Sequence, residues 1–237
     1  MKRIISLYVF LIWTTPLKAQ TADNYINSGN IKYESGNISG AIQDYTRAIQ
    51  LDPKDAKAYL NRGDSYYELG RHKEAVRDYT RAIELDPKDA IAYFNRGVSY
   101  YKQGHHEEAV RDYTRAIELD PKDARAYLNR GNRYDELGRR EEAVRDYTRA
   151  IQLKPDYASA YLNRGVSYHK QGRREEAVRD YTRAIELDPK DASAYFNRGN
   201  GYDELGRHEE AVRDYTRAIQ LKPDYAKAYL KGHSDRS

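Results

Sequence analysis

The chain has 237 residues, of which 39% are hydrophobic and 33% charged, too apolar a mixture for disorder, and its lack of cysteine excludes disulfides, thiolate metal sites and thiol nucleophiles. The net charge of +4 does not mark a nucleic-acid protein. Lys2, Arg3 and Lys18 supply three of those charges, and elsewhere basic and acidic residues interleave, with no cluster to displace counterions.

In chain order, Lys2-Arg3 is a short basic region, Ile4 to Trp13 an apolar run, and Leu17-Lys18-Ala19 ends in a small residue. Residues 1–19 therefore read as a secretory signal peptide cleaved after Ala19, and the apolar run is shorter than the roughly 20 residues of a membrane span. The expectation is an exported protein, periplasmic or secreted, whose mature chain starts at Gln20. From Ala22 onward one pattern repeats: Pro53, Pro87, Pro121, Pro155, Pro189 and Pro223 are each 34 residues apart. A fixed period of this length means stacked units with no domain boundary between them. Six full units result, 22–55, 56–89, 90–123, 124–157, 158–191 and 192–225, then a partial seventh, 226–232, and a tail, 233–237. Residues 90–157 and 158–225 are two near copies of a 68-residue pair, differing at nine positions.

Within each unit, counted as places 1 to 34, the second unit carries Tyr59, Gly63, Tyr66, Ala75, Tyr79, Ala82 and Pro87 at places 4, 8, 11, 20, 24, 27 and 32, and the later units follow it. This resembles the tetratricopeptide repeat, whose pattern is Trp-x2-Leu-Gly-x2-Tyr, Ala-x3-Phe, Pro, with Tyr standing for both Trp and Phe and Arg for Leu at place 7. The resemblance implies an all-α fold, an α-α superhelix of helix-turn-helix units. Helix A is predicted over about places 2–14, stopped by Gly70 and its counterparts at place 15, and helix B ends where Asp-Pro or Lys-Pro forbids continuation. Tyrosine suits this thin two-layer core, since its ring packs while its hydroxyl reaches the wet edge. The place-7 arginines (Arg62, Arg96, Arg130, Arg164, Arg198) and place-23 aspartates (Asp78, Asp112, Asp146, Asp180, Asp214) are expected to form partly buried pairs, within a unit or between units.

Places 2, 5, 6, 9, 12 and 13 share one face of helix A, which in the family lines a concave groove. Asn61, Asn95, Asn129, Asn163 and Asn197 all stand at place 6, where helix propensity does not explain them. Duplication is one account; the other is that their amides offer a donor and an acceptor to the backbone of an extended peptide, resembling the asparagine ladder of O-linked N-acetylglucosamine transferases. Asn197 with Lys227 and Lys231 matches half of the carboxylate clamp found in some tetratricopeptide domains, but Leu162 and Val166 stand where the other half should be. Glu68, Lys102, Glu136, Lys170 and Glu204 at place 13 suggest a cross-repeat charge ladder. No phosphate loop, nucleophile elbow or paired-histidine metal motif occurs, so no enzyme, cofactor, metal or small-molecule substrate is expected. The expected function is a non-enzymatic scaffold binding a protein or peptide segment in its groove; the alternative is a self-associating assembly component, a homo-oligomer stacked through array ends or convex face.

Overall fold

Four of the six units begin with an aspartate that caps a helix; the fifth follows Tyr157, which makes no side-chain cap bond. Asp55, Asp89, Asp123 and Asp191 accept backbone N–H groups of the first turn, as Thr21 does for the first unit. The helix that follows stops before a glycine with φ between +71° and +81°, at Gly36, Gly70, Gly104, Gly138, Gly172 and Gly206, a conformation that a side chain at Cβ would strain. A second helix begins two residues later, with paired glutamates in the first turn of the four later units, where they complement the helix dipole. It ends one residue before the Asp or Lys that precedes proline.

The computed structural model describes residues 21–226, so the expected signal segment 1–19, Lys227, Lys231 and nearly all of the partial seventh unit lie outside the described residues. Among these residues the chain is all-α, twelve helices and no strand: α1(Ala22–Glu34), α2(Ile38–Leu51), α3(Ala56–Glu68), α4(His72–Leu85), α5(Ala90–Lys102), α6(His106–Leu119), α7(Ala124–Glu136), α8(Arg140–Leu153), α9(Ala158–Lys170), α10(Arg174–Leu187), α11(Ala192–Glu204) and α12(His208–Leu221). Helix A thus covers places 1 to 13, one residue earlier than expected at each end, because the N-cap residue, aspartate in four units, lies just before place 1 and the glycine needs a transition residue ahead of it. Every helix packs on the next along the chain, and first helices also touch first helices two elements on, α1 with α3 and α7 with α9 among them. That is the contact pattern of a superhelical solenoid, in which a unit meets only its neighbours.

The core is a file of identical contacts. Tyr45, Tyr79, Tyr113, Tyr147, Tyr181 and Tyr215 at place 24 are buried, as are the alanines at places 20 and 27 of every unit. Each of these rings lies on a place-8 glycine: a Cβ on Gly131 would stand 2.8 Å from Cε1 of Tyr147, so no larger residue fits there without moving a buried ring.

The arginine at place 7 is bound within its own unit, which settles the choice left open by the sequence. Arg130 Nε and Nη2 donate to the two carboxylate oxygens of Asp146 at 2.7 and 2.8 Å, while Nη1 donates to Thr114 Oγ1 of the preceding unit at 3.1 Å. The same fork joins Arg62 to Asp78, Arg96 to Asp112, Arg164 to Asp180 and Arg198 to Asp214. Tyr127 and Tyr134 lie on either side of the Arg130 guanidinium, 5.8 and 5.7 Å from centroid to Cζ. One side chain therefore ties three helices together, its stem packing where the family pattern has leucine. In the first unit, which has Ser28 instead, Asp44 takes a hydrogen bond from Ser28 Oγ at 2.6 Å and an ion pair from Lys32 at 2.6 Å.

Candidate functional site

The groove face of the first helices is built from places 6, 9, 12 and 13, with the hydroxyl of the place-24 tyrosine rising between them. Its hydrogen bonds cross from unit to unit. Asn61 Nδ2 donates to Asn30 Oδ1 at 3.0 Å, Asn95 Nδ2 to Asp64 Oδ1 at 2.9 Å, and Asn163 Nδ2 to Asn132 Oδ1 at 2.8 Å. The same three acceptors take the hydroxyls of Tyr45, Tyr79 and Tyr147 at 2.8, 2.7 and 2.9 Å. Asn129, which follows Val98 rather than a polar residue at place 9, turns its amide to the carbonyl of Arg125 at 2.9 Å. Asn197 follows Val166 in the same register and makes no such bond, and Tyr181 below it has a buried hydroxyl without a hydrogen-bond partner.

The asparagine row is therefore partly committed. All five are half-buried, and in three of them one amide N–H is spent on the neighbouring unit, leaving Oδ1 and the second N–H toward the groove. The sequence alone presented these amides as open; the place-9 residues that accept from them are the part it missed. The signal was present in the polar identity of Asn30, Asp64 and Asn132 at a fixed 31 residues before each asparagine.

Charge on this face also pairs across units, but not place 13 with place 13. Glu136 meets His106 of the unit before at 3.0 Å, Glu204 meets Arg174 at 2.6 Å and His169 at 3.0 Å, and Lys170 pairs with Asp135. A place-13 side chain reaches places 12 and 17 of the preceding unit, not its own counterpart one repeat away. Burial by itself raises the Glu204 carboxyl, but the hydrogen bonds from Arg174 and His169 outweigh it and hold the group below the ordinary carboxylate range. Arg133 occupies place 10, where Ser65, Ser99 and Ser167 stand in other units. Its side chain is nearly buried, with Cζ 3.4 Å from the Tyr101 ring centroid and Nη2 3.0 Å from Glu136.

A hollow of about 340 Å³ on this face lies over units one to three and is lined by Tyr33, Asp64, Tyr67, Glu68, Tyr79, Phe94, Asn95 and Val98. Burial pushes the Asp64 carboxyl above its ordinary range, against the hydrogen bonds from Tyr79 and Asn95. Burial and the adjacent Glu68 and Asp64 push the Tyr33 hydroxyl up as well, so it stays a neutral donor. Among the described residues no group of three or more metal-ligating side chains is placed to hold an ion, and no helix is long and apolar enough to cross a membrane.

Six helix pairs in register, with a continuous inner face carrying the same polar residue in unit after unit, define a solenoid repeat scaffold. Models described as tetratricopeptide repeat match residues 90–123, 158–191, 192–225 and, in a further model, 112–145, and one described as TPR repeat matches 29–70, 63–104 and 131–172. The chain belongs to the tetratricopeptide repeat family. Among solved structures it is similar to MamA protein, with 30% identity over 72% of this chain and 93% of that one and a TM-score of 0.67. It is also similar to YrrB, whose structure is described as a TPR protein with an unusual peptide-binding site, at 25% identity over 81% and 98% and a TM-score of 0.69. Pseudomonas aeruginosa pilF shares the fold at 20% identity, 89% and 97% coverage and a TM-score of 0.76. None of the curated proteins searched matches the chain.

Proposed function

We propose that the chain is a non-enzymatic scaffold that holds an extended polypeptide along the inner face of its first helices, mainly through the peptide backbone. The observation that carries this reading is the row of place-6 asparagines, each with a carbonyl oxygen and at least one N–H not used by the neighbouring unit. A peptide backbone presents donors and acceptors at regular spacing, and a regular row of amides is complementary to it. The peptide-binding site described for YrrB supports the reading, as does the protein-binding habit of the family. On the strength of residues 1–19, we propose that the scaffold acts outside the cytoplasm; N-terminal sequencing of the purified chain should find Gln20 first, and an intact Met1 in the cytosolic fraction would refute export.

The test is capture of the partner by crosslinking in cells, then titration of the captured segment against variants. Each Asn→Ala change among Asn95, Asn129 and Asn163 should weaken binding by about 0.5–1.5 kcal/mol. Asn129→Ala separates function from packing, because its amide bonds only within its own helix and its removal leaves no neighbouring unit short of a donor. Unchanged affinity in Asn129→Ala and in the triple variant would show that the row is a by-product of duplication.

A further inference from the structure

Place 13 of the even units carries a glutamate, and in two of the three it is neutralised from within the chain. Glu136 is held by Arg133, stacked on Tyr101, and by His106; Glu204 is held by His169 and Arg174. The third, Glu68, has the same setting with every cation removed. Where Arg133 stands it has Ser65, where His106 and Arg174 stand it has Ile38, and where Tyr101 stands it has Tyr33. Glu68 makes no ion pair among the described residues, and Lys102, the place-13 cation of the next unit, lies instead over Tyr101 at 5.7 Å. Asp64 adds a second carboxylate at place 9, where units four and six carry the amides Asn132 and Asn200. Between these groups is the hollow of about 340 Å³, walled by tyrosine and phenylalanine rings.

We propose that this hollow takes an arginine side chain of the polypeptide bound in the groove, a reading that rests on the groove function above and gives its partner a chemistry. The chain supplies its own precedent: the Arg133 guanidinium lies 3.4 Å from the Tyr101 ring centroid and is paired with Glu136. At units one and two the ring and the carboxylate are present and the guanidinium is missing. An arginine from outside would stack on Tyr33 and fork onto Glu68, with Asp64 raising the negative potential behind it. A lysine, a compact and strongly hydrated point charge, gains less from a flat ring and a planar fork.

Three fluorescein-free nonapeptides of Gly and Ser, with arginine, citrulline or serine at the centre, titrated by ligand-observed NMR, test this. Citrulline keeps the shape of arginine and removes the charge. The arginine peptide should bind about tenfold more tightly than the citrulline one. That margin should vanish in Glu68→Gln, which alters a solvent-exposed side chain, and in Ser65→Arg, which places a guanidinium of the chain's own over Tyr33 in the manner of Arg133. Circular dichroism of both variants at the parent's helix content would assign the loss to the hollow. Equal binding of the arginine and citrulline peptides overturns the inference, as does a margin that survives in Glu68→Gln and Ser65→Arg. If, in addition, Asn129→Ala weakens all three peptides alike, the groove reading stands without the arginine site. Failure of all three peptides to bind removes both.

Discussion

Replacing Arg130 by methionine tests whether the place-7 arginines hold the array together. The substitution keeps an apolar stem but deletes three hydrogen bonds: two to Asp146, at 2.7 and 2.8 Å, and one to Thr114 at 3.1 Å. The side chains of Arg130 and Asp146 are only 15% and 8% exposed, so the carboxylate left behind stays in a low-dielectric layer between α7 and α8 without a counter-charge. Breaking a buried pair from one side costs about 3–5 kcal/mol, whereas replacing both members by apolar residues is often neutral or better. Arg130→Met alone should therefore destabilise by about 3–5 kcal/mol, and Arg130→Met with Asp146→Leu should recover most of that. Arg130→Lys should fall between them, since an ammonium cannot fork onto Asp146 and reach Thr114 together. Urea unfolding gives the totals, and hydrogen exchange locates the effect, which should concentrate in units three to five because each unit contacts only its neighbours. A loss below about 1 kcal/mol for Arg130→Met, or a double variant no better than the single one, would refute the argument that the pair is buried and its charges mutually required.

The place-9 residues give two further predictions. Because burial holds the Asp64 carboxyl above its ordinary range, its contribution to stability is present at low pH and lost as pH rises through the folded-state value. Asparagine keeps Oδ1 for Tyr79 and Asn95, as Asn132 does for Tyr147 and Asn163, so Asp64→Asn should raise the melting temperature at neutral pH, with the advantage shrinking in acid; no gain at neutral pH would contradict this. Val166→Asn should give the buried Tyr181 hydroxyl an acceptor and Asn197 a partner, two bonds at about 0.5–1.5 kcal/mol each against the lost packing of a half-buried valine. The expected net gain is about 1 kcal/mol in urea unfolding, and a lower midpoint would show that tyrosine–asparagine bonds are not what secures the seams between units.

What could be read from the chain depended on whether a signal was local or crossed between units. The prolines and place-15 glycines set the register and the helix ends to within a residue, because caps and breakers act on their own segment of chain. The pairing of place-7 arginines with place-23 aspartates was legible as a need for charge balance. Its location within a unit was not, since the same spacing allows either neighbour until the two helices are seen side by side. Asp44 shows the limit: its partners, Ser28 and Lys32, stand at places 7 and 11, and only the packed helices show that together they replace the missing arginine. The asparagines were visible as a row, but not their partial commitment, because their acceptors lie 31 residues earlier and the equivalence of places 6 and 9 exists only once one unit is stacked on the next.

A periodic row of amides has a weakness as a recognition device: a backbone that fits it in one position also fits when shifted along the groove. Affinity from such contacts accumulates, but register does not, and something aperiodic must fix it. Units three to six are poor places for that anchor, because Glu136 and Glu204 are already neutralised, each by a place-17 base of the preceding unit and by one further cation, Arg133 for Glu136 and His169 for Glu204. In the first unit, Ile38 and Tyr33 give Glu68 an apolar and aromatic surround with no cation. Glu68, the one place-13 glutamate of units two, four and six without an ion pair among the described residues, thus stands beside the hollow of about 340 Å³, toward one end of the row. An arginine bound there would set the register that the asparagines cannot, and the asparagines would carry the chain onward from it.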